Sequence, residues 1–186
     1  MKKFKAIISL LLICIIGLSL TSCESRVSEE EATVLVKKFI EDSCELNEIF
    51  YGKGLSYYEN EDGEYSSIYS PVKLDEKYIT ISALKERTRE VFSSSYSNSI
   101  IGYVFSLTPG IYGESSKPRY SESGGYITVL RDYEAIEITE YDYDTVKIKK
   151  IKRKEIRATV MSTENEEVEI ILVKERDGWR LDSATL

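Results

Sequence analysis

The spacing of apolar residues changes once along this chain, from steps of three and four to steps of two, and that change limits the fold more than any other feature. Ala32, Leu35, Val36, Phe39, Ile40, Leu46, Ile49 and Phe50 form the stripe of a long amphipathic helix. Ser28-Glu29-Glu30-Glu31 reads as its capping box, with Ser28 as N-cap and Glu31 at N3, and Gly52 and Gly54 stop it. A second helix is expected from a Ser82 cap to about Phe92, and a third from Ser94 or Ser95 through Phe105. Between the first two, the tyrosine-rich residues 55 to 70 carry Asp62-Gly63, an irregular hairpin closed by Pro71. Leu107 to Pro118, with Pro109, Gly110 and Gly113, reads as an exposed loop.

From Arg119 onward the period is two. Tyr120 and Tyr126 to Leu130 flank Ser123-Gly124-Gly125 as a hairpin, and short strands are expected at Ala135 to Thr139 and Thr145 to Ile151. Three more follow, Glu155 to Met161, Val168 to Lys174 and Trp179 to Ser183, joined at Glu164-Asn165-Glu166 and Asp177-Gly178. Alternation slips at Ile151, which predicts a bulge or a strand break. Helices first and antiparallel strands afterwards is the α+β pattern, with the helices gathered on one face of a curved sheet.

Ahead of this lie Lys2, Lys3 and Lys5, an apolar run from Ala6 to Leu20, and Leu20-Thr21-Ser22-Cys23. A basic start, a short apolar core and small residues before a cysteine are the parts of a secretory signal, and the ending resembles a bacterial lipobox. The apolar run is shorter than the roughly 20 residues a membrane span needs. Residues 1–22 are therefore expected to be removed, Cys23 to carry a diacylglyceryl group, residues 23–27 to form a short tether and 28–186 a single domain. Two acyl chains suffice for stable anchoring, so the expected place is the extracytoplasmic face of a membrane. Glu24 and the lysine-, isoleucine- and tyrosine-rich composition suit a Gram-positive cell.

Loss of three lysines and no acid takes the formal charge from -7 to -10, which argues against nucleic acid as a partner. With Cys14 gone and Cys23 lipidated, Cys44 is the one thiol left, so no intramolecular disulfide forms and Cys44 reads as a small buried hydrophobe. The chain has no histidine. That removes the Ser-His-acid and Cys-His nucleophiles and the commonest transition-metal ligand. Carboxylate or tyrosine acid-base chemistry remains open, but no spaced constellation stands out, and neither enzyme activity nor a cofactor is expected.

Three surface groups have readings as binding sites. Tyr57, Tyr58, Tyr65 and Tyr69 fall on expected loops or edges and offer an aromatic platform for glycan or peptide; otherwise such tyrosines straddle core and water. Glu134, Glu137, Glu140, Asp142 and Asp144 lie close enough in sequence for calcium, yet lack the EF-hand register and its glycine, and read better as a solvated negative face. Lys149, Lys150, Lys152, Arg153 and Lys154, within a run from Lys147 to Arg157, read as lysine protection of an edge strand. The functional alternative is contact with anionic lipid or wall polymer at up to ~1 kcal/mol per basic residue.

Three helices, a hairpin and long final strands ending in Asp177-Gly178-Trp179-Arg180-Leu181-Asp182 resemble the NTF2-like, cystatin-related cone fold over roughly residues 28 to 186. The chain is also similar to lipoproteins of low-GC Gram-positive bacteria with one such domain. Through Tyr78 to Phe92 and the Trp179 strand it more weakly resembles secreted inhibitors of cell-wall DL-endopeptidases. The first resemblance implies a ligand site in the cone, in some members an isomerase or hydrolase site; the last implies a protein partner and transfers no site, and the exposed 107 to 118 loop is the candidate contact that an inhibitor would need. The expected function is a non-catalytic binding module at the cell envelope, taking a wall polymer, an envelope protein or a small ligand. The alternatives are a hydrolase inhibitor and a carboxylate/tyrosine enzyme.

Overall fold

The computed structural model describes residues 27–59, 68–106, 108–109 and 115–186; the leader, the lipobox with Cys23, and the Asp62-Gly63 turn with Tyr65 lie outside them. Helix α1, Glu29–Phe50, opens with the expected capping box: Ser28 Oγ accepts from Glu31 N at 3.1 Å while Ser28 N donates to the Glu31 carboxylate at 2.8 Å. Its apolar stripe is buried from Ala32 to Phe50 and packs on a sheet. Helix α2, Ile81–Val91, starts two residues earlier than the sequence suggests, because Thr80 rather than Ser82 caps it, accepting from Ala83 N at 3.1 Å. The earlier start adds Ile81 to the side that packs against the core. Ser93 caps α3, Ser94–Phe105, which packs against α2.

Strands β1 (Tyr69–Pro71), β4 (Tyr120–Ser123) and β5 (Tyr126–Leu130) form a three-stranded antiparallel sheet in the order β1-β5-β4. Gly124 and Gly125, both at positive φ, make the β4–β5 turn. Two-residue strands β2 (Thr108–Pro109) and β3 (Ser115–Ser116) pair with each other, so the stretch read as a loop holds a small ladder whose tip is outside the described residues. Strands β6 (Tyr141–Lys152), β7 (Glu155–Ser162), β8 (Glu167–Glu175) and β9 (Gly178–Leu181) form a four-stranded antiparallel meander in sequence order. Asn165 at φ 66° sits in the β7–β8 turn, while the β8–β9 turn is Arg176-Asp177 and Gly178 already pairs with Glu175.

The fold is thus α+β, and among the described residues two separate antiparallel sheets, besides the small β2–β3 ladder, stand where one curved sheet is expected from the sequence. The reason is the segment 133–140 between β5 and β6. It runs without turn or bend but joins no ladder, so Ala135 to Thr139, despite its alternating isoleucines, is not a paired strand. β6 shifts register twice: between Ile148 and Lys150, just before the slip in alternation at Ile151 and leaving Lys149 and Lys150 both exposed, and between Asp142 and Lys147, where the sequence gives no such expectation. The core lies between helices and meander, where Val36, Ile40 and Leu46 of α1 join Ile156, Ala158, Val160, Ile170, Leu172 and Leu181.

Candidate functional site

Cys44 and Glu48 lie four residues apart on α1 and so share a flank. That flank, the extended run Ala135–Tyr141 and the Thr163-Glu164 turn enclose a cleft of about 970 Å³, at the upper end of the ~300–1,000 Å³ common for ligand pockets. Cys44 Sγ is 3.9 Å from the Thr139 carbonyl oxygen, a long thiol hydrogen bond that ties helix to segment. Ile136 N donates to Tyr51 O at 2.9 Å, and Glu140 O accepts from Thr163 N at 2.9 Å. The amides of Ala135, Glu137, Ile138, Thr139 and Glu140 have no backbone acceptor among the described residues.

The cleft is negative. Glu48, Glu137, Glu140 and Glu164 line it against one cation, Lys53, and the last turn of α1 carries no basic residue to offset the negative end of the helix dipole. Tyr141 lines it too, only 6% exposed, and its hydroxyl is buried with no hydrogen-bond partner among the described residues. Such a group is costly to leave unmade. Burial, then the neighbouring Cys44 and Tyr143, push this phenol up to about 12. Burial, then the charge of Glu140, outweigh a hydrogen bond from Ser43 and push the Cys44 thiol up to about 11. A half-buried thiol so rarely ionised is a poor nucleophile at neutral pH.

Beyond the end of α1 lies a second group of buried polar side chains, around Tyr120 and Arg119. The hydroxyl of Tyr120, fully buried, donates to Ile49 O at 2.8 Å and accepts from Leu55 N at 3.0 Å. Arg119, 4% exposed, donates to Gly52 O at 2.7 Å, and its guanidinium stacks 4.0 Å over the Tyr133 ring. Its Nε and Nη1 have no hydrogen-bond partner among the described residues. Helix-end carbonyls and an aromatic face thus hold a buried cation where no carboxylate does.

Of the tyrosines singled out from the sequence, Tyr57, Tyr58 and Tyr69 lie along one strand, and Tyr65 is outside the described residues. Tyr57 bridges to Val72 and Tyr58 N donates to Pro71 O at 3.0 Å, which lays both beside β1. Tyr69 spends its hydroxyl on Pro118 O at 2.7 Å, and of the three Tyr58 alone is largely exposed. Tyrosines converge elsewhere: Tyr51, Tyr96 and Tyr103 line a shallow hollow of about 430 Å³ with Ser95, Ser99 and Ile100.

Lys149, Lys150 and Lys152 lie on β6, an edge of the meander, and Arg153 and Lys154 form the turn to β7. Glu167 faces Lys149 at 3.7 Å and Glu155 faces Lys152 at 3.3 Å, so acids of neighbouring strands offset part of this charge. The acidic residues 134, 137, 140, 142 and 144 are all exposed, and among the described residues no group of three or more potential ligands is placed to hold a metal ion. Nor is any described helix long and apolar enough to cross a membrane.

Sequence reasoning finds Glu137 and Glu140 as a charged face but misses Glu48, Tyr141 and the cleft. The one available signal is Glu48, one helical turn beyond Cys44 at the end of a stripe. Arg119 and Tyr120 carry no signal beyond following Pro118. Neither the protein-family models nor the curated proteins contain a match to this chain.

Proposed function

We propose that this chain is a membrane-anchored, extracytoplasmic binding module, lipidated on Cys23, whose helices and sheets make an NTF2-like cone and whose acidic cleft takes a partner in the cell envelope. The observation that carries the binding half is Tyr141: a buried phenol without a partner lines a roomy cleft whose charged walls are almost all carboxylate. A site of that kind gains from a ligand that both accepts or donates at the hydroxyl and brings positive charge. Non-catalytic action is favoured because the chain has no histidine to serve as a base and the Cys44 thiol that lines the cleft is a poor nucleophile, pushed up to about 11. The anchoring half rests on the leader and lipobox residues 1–23.

One preparation tests both halves. The full-length protein is produced in a Gram-positive host beside Cys23→Ser and Glu137→Lys/Glu140→Lys variants, membranes are separated, and intact cells are treated with a short amine-reactive cross-linker. Wild type is expected in the membrane fraction with a cross-linked envelope partner. Cys23→Ser is expected in the soluble fraction, and the double charge reversal is expected to stay on the membrane without the partner. Membrane retention of Cys23→Ser removes the lipid anchor from this reading. Undiminished cross-linking of the charge reversal removes the cleft.

A further inference from the structure

We infer that the unpaired extended run Ala135–Glu140 takes an added strand from an extended, lysine-rich peptide of another protein, a proposal that rests on the binding reading above and names the partner's class. Ala-Ile-Glu-Ile-Thr-Glu alternates like a strand and runs without turn or bend, yet five of its six amides find no backbone acceptor among the described residues. Six extended residues span roughly 20 Å, the length of an ordinary strand. Ile136 is 51% exposed, so the run offers what an edge strand offers: free backbone groups and an apolar side chain. Strand addition draws affinity from the backbone and specificity from alternate side chains.

Charge decides the occupant. Glu137 and Glu140 flank the free amides, and Glu48 and Glu164 stand on the cleft walls. Two copies of this run repel each other, which is how edges avoid self-pairing. A strand with lysine at alternate positions turns its cations to one face, where one of Glu137 and Glu140 meets it, beside the acidic cleft walls.

The test uses full-length protein in detergent micelles and an acetylated, amidated Lys-Val-Lys-Val-Lys-Val peptide, with an alternately N-methylated peptide of equal charge and a Glu-Val analogue as probes. Binding is read by calorimetry, and amide exchange of residues 135–140 by mass spectrometry. The Lys-Val peptide is expected to bind and to slow exchange in this run by about tenfold or more, the methylated and Glu-Val peptides to bind at least about tenfold more weakly. Equal binding of the methylated peptide, or protection confined to other residues, overturns strand addition, and neither outcome depends on a variant folding. Protection of the run without peptide, in step with concentration and self-association, also overturns it, because the occupant is then a second copy, whose Lys147–Lys154 stretch is the available cation. If the envelope partner is captured through Glu137 and Glu140 but the peptide fails, the binding module stands without strand addition; if capture fails as well, both fall.

Discussion

Tyr120 and Tyr141 are two buried phenols near the second half of α1, and their surroundings differ in completeness. The hydroxyl of Tyr120 both gives and accepts a hydrogen bond, with Arg119 beside it closing the helix end onto Gly52 and the ring of Tyr133. The hydroxyl of Tyr141 does neither, and the chain beside it leaves its amides unpaired. Buried polar groups that are satisfied rigidify a structure. Those left unsatisfied in a native fold mark places where something else binds or where stability has been given up for function. The contrast is between a side closed at its phenol, where Arg119 Nε and Nη1 nonetheless stay unpaired, and a side open at its phenol and along its backbone.

The largest expected effect is on the closed side. Gly54 adopts φ +84°, and a Cβ there would lie 2.3 Å from Arg119 Nη2 and 3.0 Å from Tyr120 Oη. Gly54→Ala therefore combines left-handed strain with displacement of the guanidinium from Gly52 O. We expect a loss of about 2–4 kcal/mol, a fall of about 5–10 °C in the thermal midpoint for a domain of this size. Gly124→Ala supplies the control: φ is +60° but nothing lies within 4 Å, so only strain is paid, about 1 kcal/mol. On the open side, Ile136→Ser touches an exposed side chain and is expected to change stability by less than about 0.5 kcal/mol. Comparable losses for Gly54→Ala and Ile136→Ser in thermal denaturation would erase the distinction between the two regions.

How much of this was legible beforehand follows the range of the interactions. The capping box of α1, the Gly124-Gly125 turn and the β6 bulge before Ile151 are local, set by residues within a few positions of one another, and the sequence shows them directly. Ala135 to Thr139 fails for the opposite reason. Alternation states what a strand prefers, but pairing is decided by what lies alongside, and Cys44 of α1 and Tyr51 just past its end lie there instead of another strand. The cleft is built from residues about 90 apart in sequence, as is the Arg119 staple from residues 67 apart, and no period or motif links such pairs. Thr80 and Ser82 both satisfy the rule for a helix cap, and packing of Ile81 selects between them.

The next effect in size sharpens the chemistry of the open side. With its thiol pushed from 9.0 up to about 11, Cys44 should hold roughly 100-fold less thiolate at neutral pH than an ordinary cysteine, and alkylation of the folded protein should be slower by at least that factor. The same shift makes a stability claim. Below pH 9 the thiol is protonated in folded and unfolded chains alike. Between about 9 and 11 the unfolded chain releases the proton and the folded chain keeps it, so stability falls as pH rises through that window. Tyr141, at about 12, continues the fall above pH 10. Urea midpoints for wild type and Cys44→Ala should therefore converge as pH rises from 9 to 11. A constant difference across that range would show that the thiol does not share the dry base of the cleft.

The smallest effect is the most specific to geometry. Glu140 is an exposed residue on the opposite wall from Cys44, and its charge is one of the causes that hold the thiol neutral, after burial. Glu140→Gln keeps the shape of the wall and removes that charge. The alkylation profile of Cys44 should move toward lower pH by less than burial moves it upward, with no change in thermal midpoint beyond about 0.5 kcal/mol. A cationic strand seated along residues 135–140 should have the same sign of effect, because a lysine near Glu140 neutralises the charge that Gln deletes. The two perturbations therefore should not add. In the Gln variant the Lys-Val peptide should shift the profile less than in wild type, whereas equal shifts in both would mean that the peptide's charge reaches Cys44 without passing Glu140, and the strand would have to lie elsewhere in the cleft.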